Sequence, residues 1–202
     1  MKNIGCVSKG RPREFCVDQA LAAALRIFWT KGYEGASMTD LTEAMGITKP
    51  SLYAAFGNKE ELFRKALDLY ESEKLAYMRD AIKAPSARAV AERLLRGALE
   101  MQTSDCEPRG CLRVISSVAC GAEADSIRSE VIARRKSSSH ALTRRFQEAQ
   151  DAGELPQGLT PEGLASFLAA LLQGMSIQAG AGASREELEK LVDTSLAVWP
   201  TI

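Results

Sequence analysis

The stretch from residue 37 to residue 56, SMTDLTEAMGITKPSLYAAF, constrains the fold of this chain most strongly. It predicts two short helices joined by a turn at Gly46, with Thr48 capping the second helix and Pro50 in its first turn. The outer face of the second helix is small, polar and free of acidic residues. This is the layout of a helix-turn-helix, in which one helix braces across the DNA backbone and the other enters the major groove. The sequence therefore predicts a DNA duplex as the partner of this segment.

The charge of the chain is unevenly distributed, although its formal total is zero. Residues 1–70 contain 10 lysines and arginines against 8 acidic residues, whereas residues 71–202 contain 16 against 18. A local basic excess suffices to engage phosphates, and the overall balance argues against a protein that coats nucleic acid without selectivity. With 46% hydrophobic residues, a chain of 202 residues is able to bury a sizeable core.

The cysteine and histidine content argues against disulfide and metal chemistry. An odd number of cysteines in a chain without an export signal predicts reduced thiols. A single histidine and the lack of a Cys-x-x-Cys pair argue against structural zinc. No apolar run approaches the roughly 18–20 residues of a membrane span, so we expect a cytoplasmic protein with no metal, no cofactor and no membrane partner. The residues concerned are Cys6, Cys16, Cys106, Cys111, Cys120 and His140.

The local residue preferences predict an all-α fold. Ala, Leu, Glu and Arg dominate, alternating β-branched runs are missing, and about nine helices are expected. Gly32 should end the first helix, and Pro85 should mark a break after the fourth. The expected helices cover residues 15–31, 39–45, 49–56, 59–82, 87–103, 110–120, 123–152, 161–179 and 185–198.

A compact outer face is predicted for the second helix of the helix-turn-helix. A helical wheel places Leu52, Ala55 and Phe56 on its core side, and Pro50 and Ala54 on the opposite side. Such a face is able to approach base edges closely. Spacing alone leaves open an ordinary helical hairpin whose polar residues are simply solvated. The candidate DNA contacts on this face and at neighbouring helix starts are Thr39, Thr48, Lys49, Pro50, Ser51, Tyr53 and Lys59.

The run from Ala22 to Phe63 closely resembles the amino-terminal domain of tetracycline-repressor (TetR) family regulators. The resemblance implies an all-α homodimer that binds a palindromic operator, with a three-helix helix-turn-helix domain and a larger helical bundle that holds a small-molecule pocket. By position it carries over the same seven DNA contacts. Ala54-Ala55 departs from the pattern, because many relatives have an aromatic residue or histidine there, so base readout is expected to be thin and to depend on DNA shape. The motifs that carry the resemblance are Phe28, Lys31-Gly32-Tyr33, Ser37-Met38-Thr39-Asp40-Leu41, Met45-Gly46-Ile47, Ser51-Leu52-Tyr53, Phe56 and Lys59-Glu60-Glu61-Leu62-Phe63.

Three regions follow from the resemblance and the helix pattern. Residues 1–13 are expected to form a flexible basic arm, 14–74 the DNA-binding domain with its helix-turn-helix at 37–56, and 75–202 the ligand-binding and dimerisation domain. Within the arm, Arg11 and Arg13 suit an A·T-rich minor groove. The alternative is a disordered tail that gives only non-specific attraction.

The last two helices are expected to form a four-helix interface with a second copy of the chain, consistent with two-fold binding to a palindrome. The alternative is that both helices merely complete the core of one chain. The candidate interface residues are Leu164, Leu168, Leu172, Leu188, Leu191, Val192 and Leu196.

A ligand pocket is expected between the helices of the carboxy-terminal half, where bundles commonly hold cavities. Methionine and phenylalanine at helical spacing are also typical of plain core, and the ligand class is left open. The polar run 134–140 is expected to form a solvated face. The candidate lining residues are Met101, Cys111, Leu112, Ile115, Phe146, Phe167, Leu171 and Met175.

The leading functional prediction is a ligand-responsive transcriptional regulator, a repressor that a small molecule releases from a palindromic operator. One alternative is a thiol-based redox or electrophile sensor on the same scaffold that uses Cys106, Cys111 and Cys120, because Arg109 and a helix start near Cys111 favour its thiolate. Another is an architectural DNA-binding protein without an effector. No nucleophile–base pattern, phosphate loop or metal-ligand set supports an enzyme, and no catalytic residue is predicted.

Overall fold

The computed structural model describes residues 15–118, Gly121 and residues 124–200, and the described part of the chain contains ten helices and no strand. The arm at 1–13 lies outside the described residues. The all-α prediction is confirmed, with one helix more than expected. The helices are α1 (Val17–Gly35), α2 (Met38–Met45), α3 (Lys49–Phe56), α4 (Lys59–Glu73), α5 (Ala76–Ala81), α6 (Ala87–Gln102), α7 (Leu112–Val118), α8 (Asp125–Asp151), α9 (Pro161–Gly180) and α10 (Arg185–Ala197).

The additional helix arises where the sequence predicts α4 to continue to residue 82. The structure ends α4 at Glu73 and starts α5 at Ala76. The backbone leaves the helical conformation at Leu75, with φ −102° and ψ 10°, and the Leu75 side chain is buried in the core around α1–α4. The break turns Tyr77 and Met78 towards the carboxy-terminal helices. Helical preference alone could not reveal it, because the tertiary burial of Leu75 decides the path of the chain.

Gly32 interrupts α1 near the residue where the sequence predicts the helix to end. It has φ +72°, a conformation that favours glycine, and a Cβ at this position would lie 3.2 Å from Cγ2 of Ile115 on α7. The chain nevertheless resumes helical geometry and reaches Gly35. The break therefore lets α1 pass close to α7.

Two apolar cores organise the molecule. The first lies around α1–α4 and includes Leu112, Ile127 and Val131 from the helices that follow in the chain. The second joins α6, α8, α9 and α10. Tyr77 and Met78 of α5 pack against both cores. The α4–α5 break thus lies at the junction between the amino-terminal helices and the carboxy-terminal bundle.

By length and composition, α9 is the one helix of the described chain that could cross a membrane. The sequence prediction did not anticipate this. The helix packs against α6, α8 and α10, and Leu168 and Met175 are fully buried. Since core helices of globular proteins pass the same test, the finding is weak evidence for a membrane span.

Candidate DNA-binding surface and internal cavity

The outer face of α3 is exposed, small and acid-free. Leu52 and Phe56 are buried in the first core, whereas Pro50 and Ala54 face outwards and Tyr53 is 47% exposed. This confirms which side of the helix the wheel assigns to the core. The hairpin is therefore arranged so that α3 presents small side chains, one tyrosine and no acidic group to an approaching surface.

The start of α3 is fixed by a hydroxyl pair. Thr48 Oγ1 accepts a hydrogen bond from the Ser51 amide at 3.4 Å and lies 2.9 Å from Ser51 Oγ. Pro50 occupies the first turn, where its missing N–H costs nothing. Lys49 is exposed and forms no ion pair with any described residue. Its charge is available for a phosphate, next to amides at a helix start.

The start of α2 is held by a capping box. Ser37 Oγ accepts from the Asp40 amide at 3.0 Å, and Asp40 Oδ2 accepts from the Ser37 amide at 3.0 Å. Lys31 Nζ donates to Asp40 Oδ1 at 2.6 Å. This hydrogen bond and those from Ser37 lower the pKa of Asp40 from 3.8 to about 2. The bracing helix is thereby tied to α1, and it leaves Thr39 exposed at its first turn.

Asp40→Asn is expected to destabilise the protein in a pH-dependent way. Because the folded-state pKa of Asp40 is depressed, its carboxylate contributes stability that is present above about pH 4 and lost as the pH falls towards 2. The melting temperature of the variant should lie below that of the wild type at pH 5–7, and the difference should shrink steadily as the pH falls from about 4 to about 2 in melts followed by circular dichroism. A difference that stays constant over this range would contradict the assignment.

The side chain of Lys59, at the start of α4, is held over the ring of Tyr33. Its Nζ lies 4.6 Å from the centre of the Tyr33 ring, and burial lowers its pKa. Asn58 and Glu61 form a second capping box around the same helix start. The predicted DNA contacts Arg11 and Arg13 lie outside the described residues. The other seven lie on or beside α2, α3 and the start of α4, and they remain candidates.

A partly open cavity of about 320 Å³ lies between α5, α6, α7, α8 and α9. Met101 and Cys111 line it, as the sequence predicts. The other six predicted residues lie elsewhere. Leu112 and Ile115 pack in or against the first core, Phe146 and Met175 are buried in the second, Leu171 packs against the second, and Phe167 is 43% exposed.

Sequence reasoning missed the polar wall of the cavity. Arg135 and the serines at 137–139 line it, although the run 134–140 is predicted to be solvated. Helix α8 has so few apolar residues that its inner face does not stand out from the pattern. The break at Leu75 brings in Tyr77 and Met78, which a continuous α4 would not have predicted.

Cys111 is the cysteine that faces the cavity. Its Sγ accepts a hydrogen bond from the Tyr70 hydroxyl at 3.3 Å, and burial raises the pKa of Tyr70, which keeps that hydroxyl protonated. Cys106 is exposed on the preceding loop, and Cys120 lies outside the described residues. Among the described residues no cluster of potential ligands could hold a metal ion.

Glu71 connects the cavity to α4, the helix that follows the helix-turn-helix. This α4 residue accepts from Arg113, a cavity-lining residue of α7, at 3.2 Å, and from Arg134 of α8 at 3.0 Å. Trp29 Nε1 of α1 donates to the Gly110 carbonyl at 3.0 Å in a buried contact next to Cys111. These contacts tie α7 to α4, and the residue before Cys111 to α1.

Most of the predicted dimer-interface residues are buried within one chain. Leu164, Leu168, Leu188, Val192 and Leu196 are at most 5% exposed, Leu191 is half-buried, and Leu172 is half-buried against the cavity. The first five are therefore not available to a second copy. The prediction was based on the most apolar face of each helix, and this is the face that the core of a single chain buries.

A different apolar surface is left exposed on α9 and α10. Phe167, Ile177 and Val198 are 43%, 60% and 66% exposed, and they are three of the four large hydrophobic residues exposed in the described chain. Ala170 and Gly174 lie between the first two on α9, so that a neighbouring helix could approach closely. We call this surface, formed by Phe167, Ala170, Leu171, Gly174, Ile177, Leu191, Thr194 and Val198, the α9–α10 stripe.

Comparisons with known proteins agree with this architecture. The family model "Bacterial regulatory proteins, tetR family" matches residues 20–66, and the model "Tetracyclin repressor-like, C-terminal domain" matches residues 88–194. The chain is 35% identical over 198 residues to the HTH-type transcriptional repressor ComR of Escherichia coli K12, covering 96% of this chain and 94% of ComR.

Two solved structures are similar over nearly the whole chain. A cysteine mutant of the TetR family regulator CifR, complexed with 26-base-pair double-strand operator DNA, is 43% identical with a TM-score of 0.88, covering 94% of this chain and 100% of that one. A putative TetR regulator from Rhodococcus sp. RHA1 is 38% identical with a TM-score of 0.63, covering 91% and 98%.

Proposed function

This chain belongs to the TetR family of bacterial transcriptional regulators, and on that premise we propose that it represses transcription from a palindromic operator. Members of this family are dimeric, ligand-responsive regulators that bind operator DNA. A homodimer presents two copies of α3, and a small molecule in the cavity releases them from the DNA. The protein acts in the cytoplasm, where its operator is located, and it has no catalytic role.

The observation that carries the proposal is the exposed outer face of α3. It combines Pro50 and Ala54, which can contact thymine methyl groups, with the Tyr53 hydroxyl and Lys49, which can reach phosphates. The relatives support the direction of regulation, because ComR is a repressor and CifR is seen with operator DNA. Since Ala54 and Ala55 cannot hydrogen-bond to bases, the shape of the DNA is expected to supply part of the specificity.

The three regions of the chain have different proposed roles. Residues 14–74 bind DNA, residues 75–202 bind the effector and dimerise, and the arm at 1–13 adds phosphate or minor-groove contacts. The α9–α10 stripe is the dimer interface, because an isologous contact needs an apolar surface that a single chain leaves exposed.

Release by the effector uses the ion pairs of Glu71. A ligand that displaces Arg113 changes the contacts of α4, and α4 carries the helix-turn-helix at its amino-terminal end. To change a mostly bound population into a mostly free one, the ligand must prefer the released state by roughly 10⁴-fold. A cavity of about 320 Å³ favours this sensor over an effector-free architectural protein.

The proposal is tested by selecting bound fragments from a random duplex pool, followed by a screen for compounds that release the winning sequence. We expect a palindromic consensus whose half-sites are spaced by whole turns of the double helix. Recovered fragments without a common sequence would contradict a specific repressor.

A second candidate function is electrophile sensing by Cys111, which is favoured by the position of this residue in the cavity lining. In this case we expect N-ethylmaleimide to weaken operator binding by the wild type at least about tenfold and to leave Cys111→Ser unaffected. Cys106→Ser, which removes an exposed thiol, should respond like the wild type. Unchanged operator affinity after alkylation of the wild type would remove this candidate.

A further inference from the structure

The polar groups of the cavity are unbalanced in charge. Three arginines line it, Arg79, Arg113 and Arg135, and the described lining contains no aspartate or glutamate. Most of the remaining wall is apolar, with Met101 and Leu142 as examples. A site of this composition attracts a molecule with an apolar body and a negative charge, because the apolar surroundings strengthen the attraction between opposite charges.

Arg135 provides a half-buried cation that no described side chain neutralises, whereas Arg79, which also has no ion pair among the described residues, is exposed. The guanidinium of Arg135 donates to Ser117 Oγ at 2.8 Å without an ion pair to any described carboxylate. A partly buried charge without a counter-ion is costly, and a bound anion would relieve that cost. Arg113 adds a second donor, because its buried Nε has no hydrogen-bond partner although its Nη1 is bonded to Glu71 and Ser138.

Gln102 is the second sign of a missing partner. It is 3% exposed, it lines the cavity from α6, and its Oε1 has no hydrogen-bond partner. Buried side-chain amides are normally hydrogen-bonded, since an unpaired acceptor away from water is destabilising. A ligand hydroxyl would satisfy Oε1 by donating a hydrogen bond to it.

From these three groups we propose that the cavity binds small organic hydroxy acids. The carboxylate accepts from Arg135 and from Arg113 Nε, the apolar body lies against Met101 and Leu142, and the hydroxyl donates to Gln102. The effector role of such acids rests on the proposed repressor function, whereas the binding site itself does not.

Binding at Arg113 also explains how an occupied cavity affects DNA binding. The ligand carboxylate on Nε and Glu71 on Nη1 share one guanidinium charge, so occupancy weakens the attraction between α7 and α4. Arg134 continues to pair with Glu71 from α8, which keeps the Glu71 carboxylate compensated. The consequence is a change in the support of α4 without a buried unpaired charge.

The charge preference is tested by calorimetric titration of the full-length protein without DNA. The probes are 3-phenylpropionate, hexanoate, their hydroxylated forms 3-(4-hydroxyphenyl)propionate and 6-hydroxyhexanoate, and the primary amide of each acid. We expect at least one acid to bind about tenfold more tightly than its amide. Arg135→Gln should reduce that preference to below about threefold, and Arg135→Lys should retain most of it. Arg128→Gln, on the exposed face of the same helix, is the matched control and should change nothing.

The role of Gln102 is tested separately, with a variant that should gain thermal stability and lose the preference for hydroxylated acids. Gln102→Met removes the unpaired acceptor at similar volume, so the unliganded protein should melt about 2–4 °C higher. The same variant should lose the advantage of each hydroxylated acid over its parent acid. This measurement remains informative if Arg135→Gln does not fold.

Three results would overturn the proposed site: no acid of the panel binds, amides bind as tightly as acids, or Arg135→Gln keeps the preference. A Gln102→Met variant that melts lower and still favours the hydroxylated acids would remove the hydroxyl contact. Release of operator DNA is assayed separately with the same acids. Acids that bind with the expected preference but leave the DNA bound would retain the site and remove its effector role.

Discussion

Ala54→Glu is expected to abolish specific operator binding while leaving the protein folded. Ala54 is exposed at the centre of the outer face of α3, so a longer side chain does not disturb the core. In the proposed complex the new carboxylate would lie among base edges and phosphates, where it is both desolvated and repelled. We expect a loss of at least about 100-fold in affinity for the selected duplex, measured by fluorescence anisotropy at fixed salt concentration.

Ala133→Glu is the matched control, because Ala133 is an exposed alanine of α8 and the added charge is identical. The control should bind within about threefold of the wild type, since distant charges are screened at physiological ionic strength. Both variants should melt within a few degrees of the wild type. If Ala54→Glu bound the operator as the control does, α3 would not be the reading helix.

Ile177→Lys is expected to convert the dimer into monomers and thereby to weaken operator binding by about 100-fold. Ile177 is 60% exposed in a single chain, and in the proposed dimer the α9–α10 stripe of the second copy covers it. Two-fold symmetry places two such lysines in one apolar interface, so each copy adds a desolvated cation without a partner. A positive charge also cannot reduce DNA affinity by direct repulsion.

The oligomeric state is measured by sedimentation velocity, and operator binding by anisotropy at the same protein concentrations. Ala197→Lys is the matched control, because Ala197 is exposed on the side of α10 where Asp193 pairs with Arg96 of α6. The control should remain dimeric and bind normally. A dimeric Ile177→Lys protein would show that the copies associate through another surface.

The amino-terminal helices could be predicted from the sequence because their signals are local. Ser37, Thr48 and Asn58 are caps that bond to amides three residues further along the chain, and Gly46 ends α2 with φ +65°. The outward face of α3 followed from the spacing of Leu52 and Phe56 alone. These features do not depend on distant parts of the chain.

The cavity and the association surface could not be predicted in the same way, because both depend on tertiary packing. Arg135 is polar in sequence but faces inwards, since α5, α6 and α9 surround that part of α8. Leu188 is apolar and was assigned to the interface, but the core of one chain covers it completely. Residue type indicates that a side chain will be covered and does not indicate by which neighbour.

That two copies of α3 enter the major groove is tested most directly by photo-crosslinking from residue 53. Tyr53→p-azidophenylalanine places a photoreactive group on the exposed face of α3 while keeping an aromatic ring. On the selected duplex we expect crosslinks to bases in two symmetric half-sites, at positions that face the major groove. Crosslinks confined to one half-site, spread evenly along the duplex or absent from the bases would contradict a paired reading of DNA by this helix.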